Sequence, residues 1–209
     1  MTIVALVSGG IDSLVMSKLI SLQGEELIPV FVDYGQLARI KEWSACQTVL
    51  KKSGLPEPVR VDLSGYGKLM STGITDPAKH IYNDAFLPGR NMLFLLVGCS
   101  YAHYKGVKKV AIGLLSEKYH IFPDQTERFV VNTNIAVNEA LDEDIAIVTP
   151  LINFSKGEVI ELAKHYGFPL SETYSCHSGR DKYCGECIAC KQIMNSVGKT
   201  LPQFGKEDD

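Results

Sequence analysis

Thr2-Ile3-Val4-Ala5-Leu6-Val7-Ser8-Gly9-Gly10-Ile11-Asp12-Ser13 is the stretch on which the fold turns. The apolar run Val4 to Val7 stops at two glycines. From Leu14 to Leu22, Leu14, Met16, Leu19, Ile20 and Leu22 recur at helical spacing until Gly24. The pattern predicts a strand, a tight loop and a helix N-terminus. The first N–H groups of such a helix have no intrahelical partner and point at whatever sits above the strand. Glycines let the backbone approach a phosphate with no Cβ between, and Ser8 and Ser13 add hydroxyl groups. Asp12 would repel a phosphate, so it reads either as a helix cap or as a ligand of a Mg²⁺ ion bridging phosphates.

Outward from this loop the strand and helix patterns alternate. Leu27 to Val32 reads as a second strand ending at Asp33-Tyr34-Gly35-Gln36, Ala38 to Lys52 as a helix, and Val59 to Leu63 as a third strand. Residues 64–90 carry Gly65, Gly67, Gly73, Pro77 and Pro88 and read as a long loop able to fold over a site. Met92 to Tyr104 then reads as a helix, Val107 to Ile112 as a strand ending at Gly113, Gln125 to Leu141 as a helix, Ile145 to Val148 as a short strand and Lys156 to Tyr166 as a helix. Gln203 to Asp209 read as a frayed tail. Strands spaced by helices of 10 to 15 residues predict βαβ units and an α/β fold with a five-stranded, mostly parallel sheet flanked by helices. Ligands of such sheets bind beyond the carboxyl ends of the strands, where Ser8-Gly9-Gly10 and Asp33-Tyr34-Gly35-Gln36 both fall.

The chain has 209 residues, 45% hydrophobic, with a net charge of −3 and six cysteines. That length fits one domain, residues 1–150, with a smaller C-terminal segment, 151–209. The charge argues against nucleic acid as a partner. No apolar stretch reaches the length of a membrane span and no secretory signal pattern opens the chain, so a cytoplasmic location is expected. Cysteines there do not form a disulfide set.

Cys176, Cys184, Cys187 and Cys190 follow the spacing C-x7-C-x2-C-x2-C. Four thiolates make a closed tetrahedral site, which Zn²⁺ prefers and which leaves no open position for catalysis. An iron–sulfur cluster is the rival occupant. Cys46 and Cys99 lie on apolar helix faces and read as core residues.

Ser8-Gly9-Gly10-x-Asp12-Ser13 resembles the PP-loop of the N-type ATP pyrophosphatases; with no lysine before Lys18 it is not a Walker A loop. Together with the cysteine cluster, the chain resembles the 7-cyano-7-deazaguanine synthase family. Phe31-Val32-Asp33-Tyr34-Gly35-Gln36, Leu87-Pro88-Gly89-Arg90-Asn91, Thr149-Pro150-Leu151 and Ser155-Lys156-x-Glu158 resemble further segments of that family, from about Ile3 to Cys190.

The resemblance implies an adenine nucleotide alpha hydrolase-like fold with a small C-terminal zinc-binding helical segment. It also implies an ATP-dependent ligase that adenylates the carboxylate of 7-carboxy-7-deazaguanine and, with ammonia, makes the nitrile preQ0 of queuosine biosynthesis. ATP and Mg²⁺ are then expected against Val7, Ser8, Gly9, Gly10, Ile11, Asp12, Ser13, Val32, Asp33, Asn91 and Gly113. Asp12, Ser13, Arg90 and Lys156 are the expected catalytic residues. Tyr34, Gln36, Arg90 and Asp124 are expected to meet the acceptor, and a homodimer is the expected assembly. Arg90 suits phosphate or carboxylate because its fork binds either in a bidentate manner. Lys156 would neutralise a phosphate. Asp124 could accept from the N–H and amino donors of a guanine-like edge or cap a helix.

Three stretches depart from the family. Gln125 stands where the family has Cys, Leu37-Ala38 replace Arg-His, and Lys191 to Asn195 lack an arginine. The departures surround the expected acceptor pocket. They leave open a different acceptor, a relative working in an antiviral system, and direct thiolation of tRNA.

Overall fold

The structure is a computed structural model and describes residues 1–116, 118 and 121–198; the expected frayed tail lies outside them. Five strands among those residues form one sheet: β1 (Thr2–Val7), β2 (Glu26–Asp33), β3 (Val59–Asp62), β4 (Lys109–Ala111) and β5 (Ala146–Val148). Their order is β3-β2-β1-β4-β5 and every neighbouring pair is parallel. The chain winds outward from β1 to β3 and then returns to the other side of β1. The strand order therefore reverses between β1 and β4, and a crevice opens there at the carboxyl ends.

Side chains alternate across a strand, and β1 uses both faces. Ile3, Ala5 and Val7 join one buried cluster with α1 (Ile11–Leu22), α2 (Arg39–Lys52) and α6 (Lys156–His165). Val4 and Leu6 join a second with α4 (Arg90–Lys105) and α5 (Glu127–Leu141). A central parallel strand buried on both faces reads as a continuous apolar run, which is why Thr2–Val7 was legible as one. Cys46 and Cys99 are both fully buried, one in each cluster. Leu151 and the cysteine segment, with α7 (Ile188–Val197), pack into the first cluster, so the last third of the chain shares the core of β1.

Several elements differ from the pattern reading. The glycine-rich stretch after β3 holds a short helix, α3 (Ser64–Leu69), before the irregular remainder. Gly67 there donates its N–H to the Tyr34 carbonyl at 2.8 Å, and a Cβ at Gly67 would lie 2.3 Å from that oxygen. A tertiary contact thus overrides poor local propensity. Helix α4 starts at Arg90 rather than Met92, because Gly89 (φ +74°) makes the turn into it. The expected helix from Gln125 divides into a 3₁₀ turn, Pro123–Gln125, and α5, whose N-cap Thr126 accepts from the Phe129 N–H at 3.1 Å.

Candidate active site

The loop between β1 and α1 is held by its own serines. Ser8 N–H donates to Ser13 Oγ at 3.2 Å, Gly10 N–H to Ser8 Oγ at 3.3 Å, and Ser13 Oγ–H to the Gly10 carbonyl at 3.0 Å. Gly9 has φ +80°, and a Cβ on it would lie 2.4 Å from the Glu42 carbonyl oxygen and 2.6 Å from Cys46 N. Only glycine satisfies both constraints, and the loop consequently sits tight against α2. Gly10 is the N-cap of α1 and supplies no side-chain cap, so the first turn presents the positive end of its dipole to the crevice.

Asp12 does not cap this helix. Its two carboxylate oxygens each accept from Lys156 Nζ at 2.6 Å, and the lysine side chain is only 7% exposed. Lys156 is placed by a capping box at the start of α6: Ser155 Oγ accepts from Glu158 N–H at 3.3 Å and Glu158 returns to Ser155 N–H at 2.7 Å. The pair leaves a cation and an anion side by side at the mouth of the loop. A carboxylate oxygen set there suits a hard divalent cation, and an ammonium suits phosphate oxygens.

A cleft of about 250 Å³ opens above the loop. Its second wall comes from the end of β2 and from α4. Arg90 faces the rings of Tyr34 and Phe94, its guanidinium carbon 5.9 Å from each centroid. Burial opposes the charge on Arg90, but Tyr34, Asp124 and Glu42 around it raise its pKa above the ordinary value. Burial likewise pushes the Tyr34 hydroxyl up to about 12. The Gln36 amide is fixed at both ends, accepting from Tyr34 N–H at 3.0 Å and donating to Glu42 Oε2 at 2.8 Å. Burial raises Glu42 to about 7.

The third wall is the cysteine segment. Tyr174 N–H donates to the Gly9 carbonyl at 2.9 Å, and Ser175 Oγ accepts from Ile11 N–H at 3.3 Å. His177 follows, lining the cleft with Nδ1 buried and unpartnered. Its pKa falls to about 4 through burial and the nearby charges of Arg90 and Lys156, so the ring is neutral.

The four cysteine sulfurs lie within 4.8 Å of one another. One ion with metal–sulfur distances of about 2.3 Å fits between sulfurs this close, whereas a cluster would spread its cysteines over separate irons. Backbone N–H groups already point at the sulfurs, Cys184 N–H to Cys176 Sγ and Cys187 N–H to Cys184 Sγ, each at 3.3 Å. Hydrogen bonds from the Cys187 and Cys190 thiols hold Cys176 far below the ordinary thiol range. A thiolate is the form that binds metal.

Of the residues singled out in the sequence, the cleft brings together Val7, Ser8, Gly10, Ile11, Asp12, Ser13, Val32, Tyr34, Gln36, Arg90, Asn91, Gly113 and Lys156. Three of the residues expected at the nucleotide or the acceptor lie just outside it. Gly9 is packed against α2. Asp33 is buried at the end of β2, where Arg60 Nη2 donates to its Oδ2 at 2.6 Å. Asp124 is buried beneath the N-terminus of α4, where its Oδ2 accepts from Asn91 N–H at 3.4 Å and its carbonyl from Asn91 Nδ2 at 2.8 Å. Glu42, Ser175 and His177 also line the cleft; sequence reasoning tied Ser175 and His177 to the cysteine segment alone and missed Glu42. Ser175 and His177 flank a cysteine already singled out, and that adjacency was the signal available. Among the described residues no helix is long and apolar enough to cross a membrane.

A family model described as "Queuosine biosynthesis protein QueC" matches residues 2–199. A 7-cyano-7-deazaguanine synthase from a Nitratiruptor species is 31% identical over 209 residues, 95% of this chain and 94% of that protein. Among solved structures, the NMN synthetase from Francisella tularensis superposes with a TM-score of 0.55 at 16% identity, over 94% of this chain and 73% of its own. A 4-thiouridine synthetase, solved with RNA and bound ATP, gives a TM-score of 0.53 at 20% identity over 97% of this chain and 51% of its own. At these identities the two structures speak for the fold alone.

Proposed function

We propose an activity from one premise: the chain belongs to the QueC family of queuosine biosynthesis proteins, whose named relatives are 7-cyano-7-deazaguanine synthases. It is an enzyme of that kind, an ATP-dependent ligase. The finer reading is that it turns 7-carboxy-7-deazaguanine and ammonia into 7-cyano-7-deazaguanine. The observation that carries it is the meeting, in one cleft, of the Ser8–Ser13 loop, the Asp12–Lys156 pair and the Arg90 guanidinium.

A carboxylate resists ammonia because its carbon shares negative charge. In the proposed reaction a carboxylate oxygen attacks the α-phosphorus of ATP and pyrophosphate leaves. Ammonia then displaces AMP to give the amide, losing a proton. The amide oxygen attacks a second ATP in the same way, and loss of AMP and a proton closes the nitrile. No side chain has to form a bond; the protein positions and neutralises. The N–H groups of the first α1 turn, Ser8 and Ser13 hold phosphate oxygens. Lys156 turns from Asp12 toward the charge that develops as pyrophosphate leaves; Asp12 would then hold Mg²⁺, which would draw charge from the phosphates. Val32 and Gly113 flank the nucleotide, with Asp33 holding the turn behind it. Arg90, set by Asn91 and Asp124 beneath it, orients the acceptor carboxylate beside Tyr34 and Gln36. Cys176, Cys184, Cys187 and Cys190 would hold Zn²⁺ in a structural role. A homodimer in the cytoplasm completes the proposal, with the exposed Leu96, Val131 and Ile135 of the adjacent helices α4 and α5 as its apolar face.

Incubation with ATP, Mg²⁺, ammonium and 7-carboxy-7-deazaguanine is expected to yield AMP, pyrophosphate and the nitrile, read by mass spectrometry. ADP as the sole nucleotide product overturns the reading. AMP formed only with another carboxylate moves the acceptor and leaves the ligase.

A further inference from the structure

Two carboxylates line the cleft, and only one is accounted for. Asp12 is ion-paired with Lys156. Glu42 has no ion-pair partner among the described residues. Gln36 holds one of its oxygens, Oε2, at 2.8 Å, while Oε1 has no hydrogen bond. A free carboxylate oxygen in a cleft built for the anion ATP and an anionic acceptor works against binding both. The oxygen is open to the cleft and suits a ligand that brings donors. Its position is not loose: the Glu42 backbone is packed against Gly9, and the Gln36 amide that holds the carboxylate is itself fixed by Tyr34 N–H.

The neighbours define the shape of that ligand. Arg90 lies over the Tyr34 and Phe94 rings, whose centroids are 5.4 Å apart. The two rings, inclined at 52° to each other, form an apolar platform against which a flat heterocycle lies, with the guanidinium beside it free for the carboxylate; a ribose, with its puckered ring, gains little from one. Next to that platform stands an acceptor pair, the free Glu42 oxygen and its tethered partner. A guanine-type ring presents adjacent ring N–H and exocyclic amino donors, and a carboxylate accepts from both at once.

We propose that the Glu42 carboxylate, oriented by Gln36, binds the ring N–H and exocyclic amino group of the acceptor's bicyclic ring and so selects a guanine-type acceptor. The assignment rests on the preceding reading of the acceptor as a deazaguanine carboxylate. Gln36 is a positioning residue, acting through Glu42.

The test compares 7-carboxy-7-deazaguanine with its analogue lacking the 2-amino group, in the wild type and in Glu42→Gln, with AMP release as readout. In the wild type the guanine-type acceptor is expected to win by about 10- to 100-fold in kcat/KM, the scale of a hydrogen bond to a charged group. Glu42→Gln is expected to raise KM for it by a similar factor and to reduce the preference to within about 3-fold, with KM for ATP and for ammonium moved less than about 2-fold. A preference retained in Glu42→Gln overturns the role. A rise in KM for ATP assigns Glu42 to the nucleotide, and one in KM for ammonium assigns it to the amine; either overturns it too. If Glu42→Gln loses its melting transition, Gln36→Leu carries the same test, with partial loss of the preference expected and full retention overturning the role. If the wild type releases no AMP with either acceptor, the reaction assignment falls, and calorimetry with 7-deazaguanine judges Glu42 separately. Binding by the wild type that Glu42→Gln loses upholds the role, and absence of wild-type binding or its retention in the variant overturns it.

Discussion

Glu42 carries a cost that its surroundings make measurable. Burial raises its pKa to about 7 from an ordinary 4.5, against the opposing pulls of the Gln36 hydrogen bond and Arg90, with Asp33 and Cys176 adding to the rise. The sign follows from linkage: the folded state holds a proton that the unfolded chain has already released between pH 4.5 and 7, so stability falls across that window as pH rises. Replacing the carboxylate by an amide of the same shape removes the effect. Glu42→Gln is expected to match the wild type near pH 4.5 and to be more stable by about 1–2 kcal/mol at pH 8, a figure reduced for the side chain's partial exposure. Denaturant melts at the two pH values check this; equal stability at pH 8 would refute it. The residue was illegible in the sequence because a charged position in the pattern Arg39-Ile40-Lys41-Glu42 reads as a solvated helix face. What turns it inward is the approach of α2 to Gly9, a contact between segments more than 30 residues apart, which periodicity cannot report.

At the scale of elements, most of what the pattern gave was local. The turn from β1 into α1, the apolar strands and the four cysteines need only neighbours in sequence to be read. Helix α3 and the start of α4 do not. Their glycines are poor helix signals, and they stand because Gly67 packs on Tyr34 and Gly89 turns the chain. The same distinction separates Asp33 and Asp124 from the cleft. Both sit in segments that the sequence marks as functional, and which way each carboxylate turns depends on Arg60 and on the α4 N-terminus. Helix α6 is the opposite case, written in its N-cap and first three residues, Ser155-Lys156-Gly157-Glu158. Ser155→Ala removes the cap and is expected to cost about 1 kcal/mol. Because Lys156 is the first residue of that helix, AMP formation should drop together with stability, whereas Thr126→Ala, at the α5 cap, should cost comparable stability and spare turnover. Paired denaturation and turnover measurements on the two variants test the difference.

For the molecule as a whole, the last third of the chain is packed into the core of the first, and the segment running Tyr174-Ser175-Cys176 is the strap between them. Two of its residues hydrogen-bond the loop between β1 and α1, at Gly9 and Ile11, and the third is a ligand in the proposed zinc site. A metal held there, with no part in the proposed chemistry, would thereby acquire a say in nucleotide affinity. Two ligands sharing one strap must help each other reciprocally, each raising the other's affinity by the same factor. Couplings of this kind fall at about 5- to 150-fold. The loaded protein should hold one zinc per chain and bind α,β-methylene-ATP more tightly than the chelated protein. The nucleotide should in turn slow the loss of zinc to a competing chelator. If the two factors are both unity, the strap transmits nothing. If they agree and exceed it, a cell short of zinc would lose this enzyme's grip on ATP before it lost the fold, and ATP itself would be the ligand that keeps the metal in place.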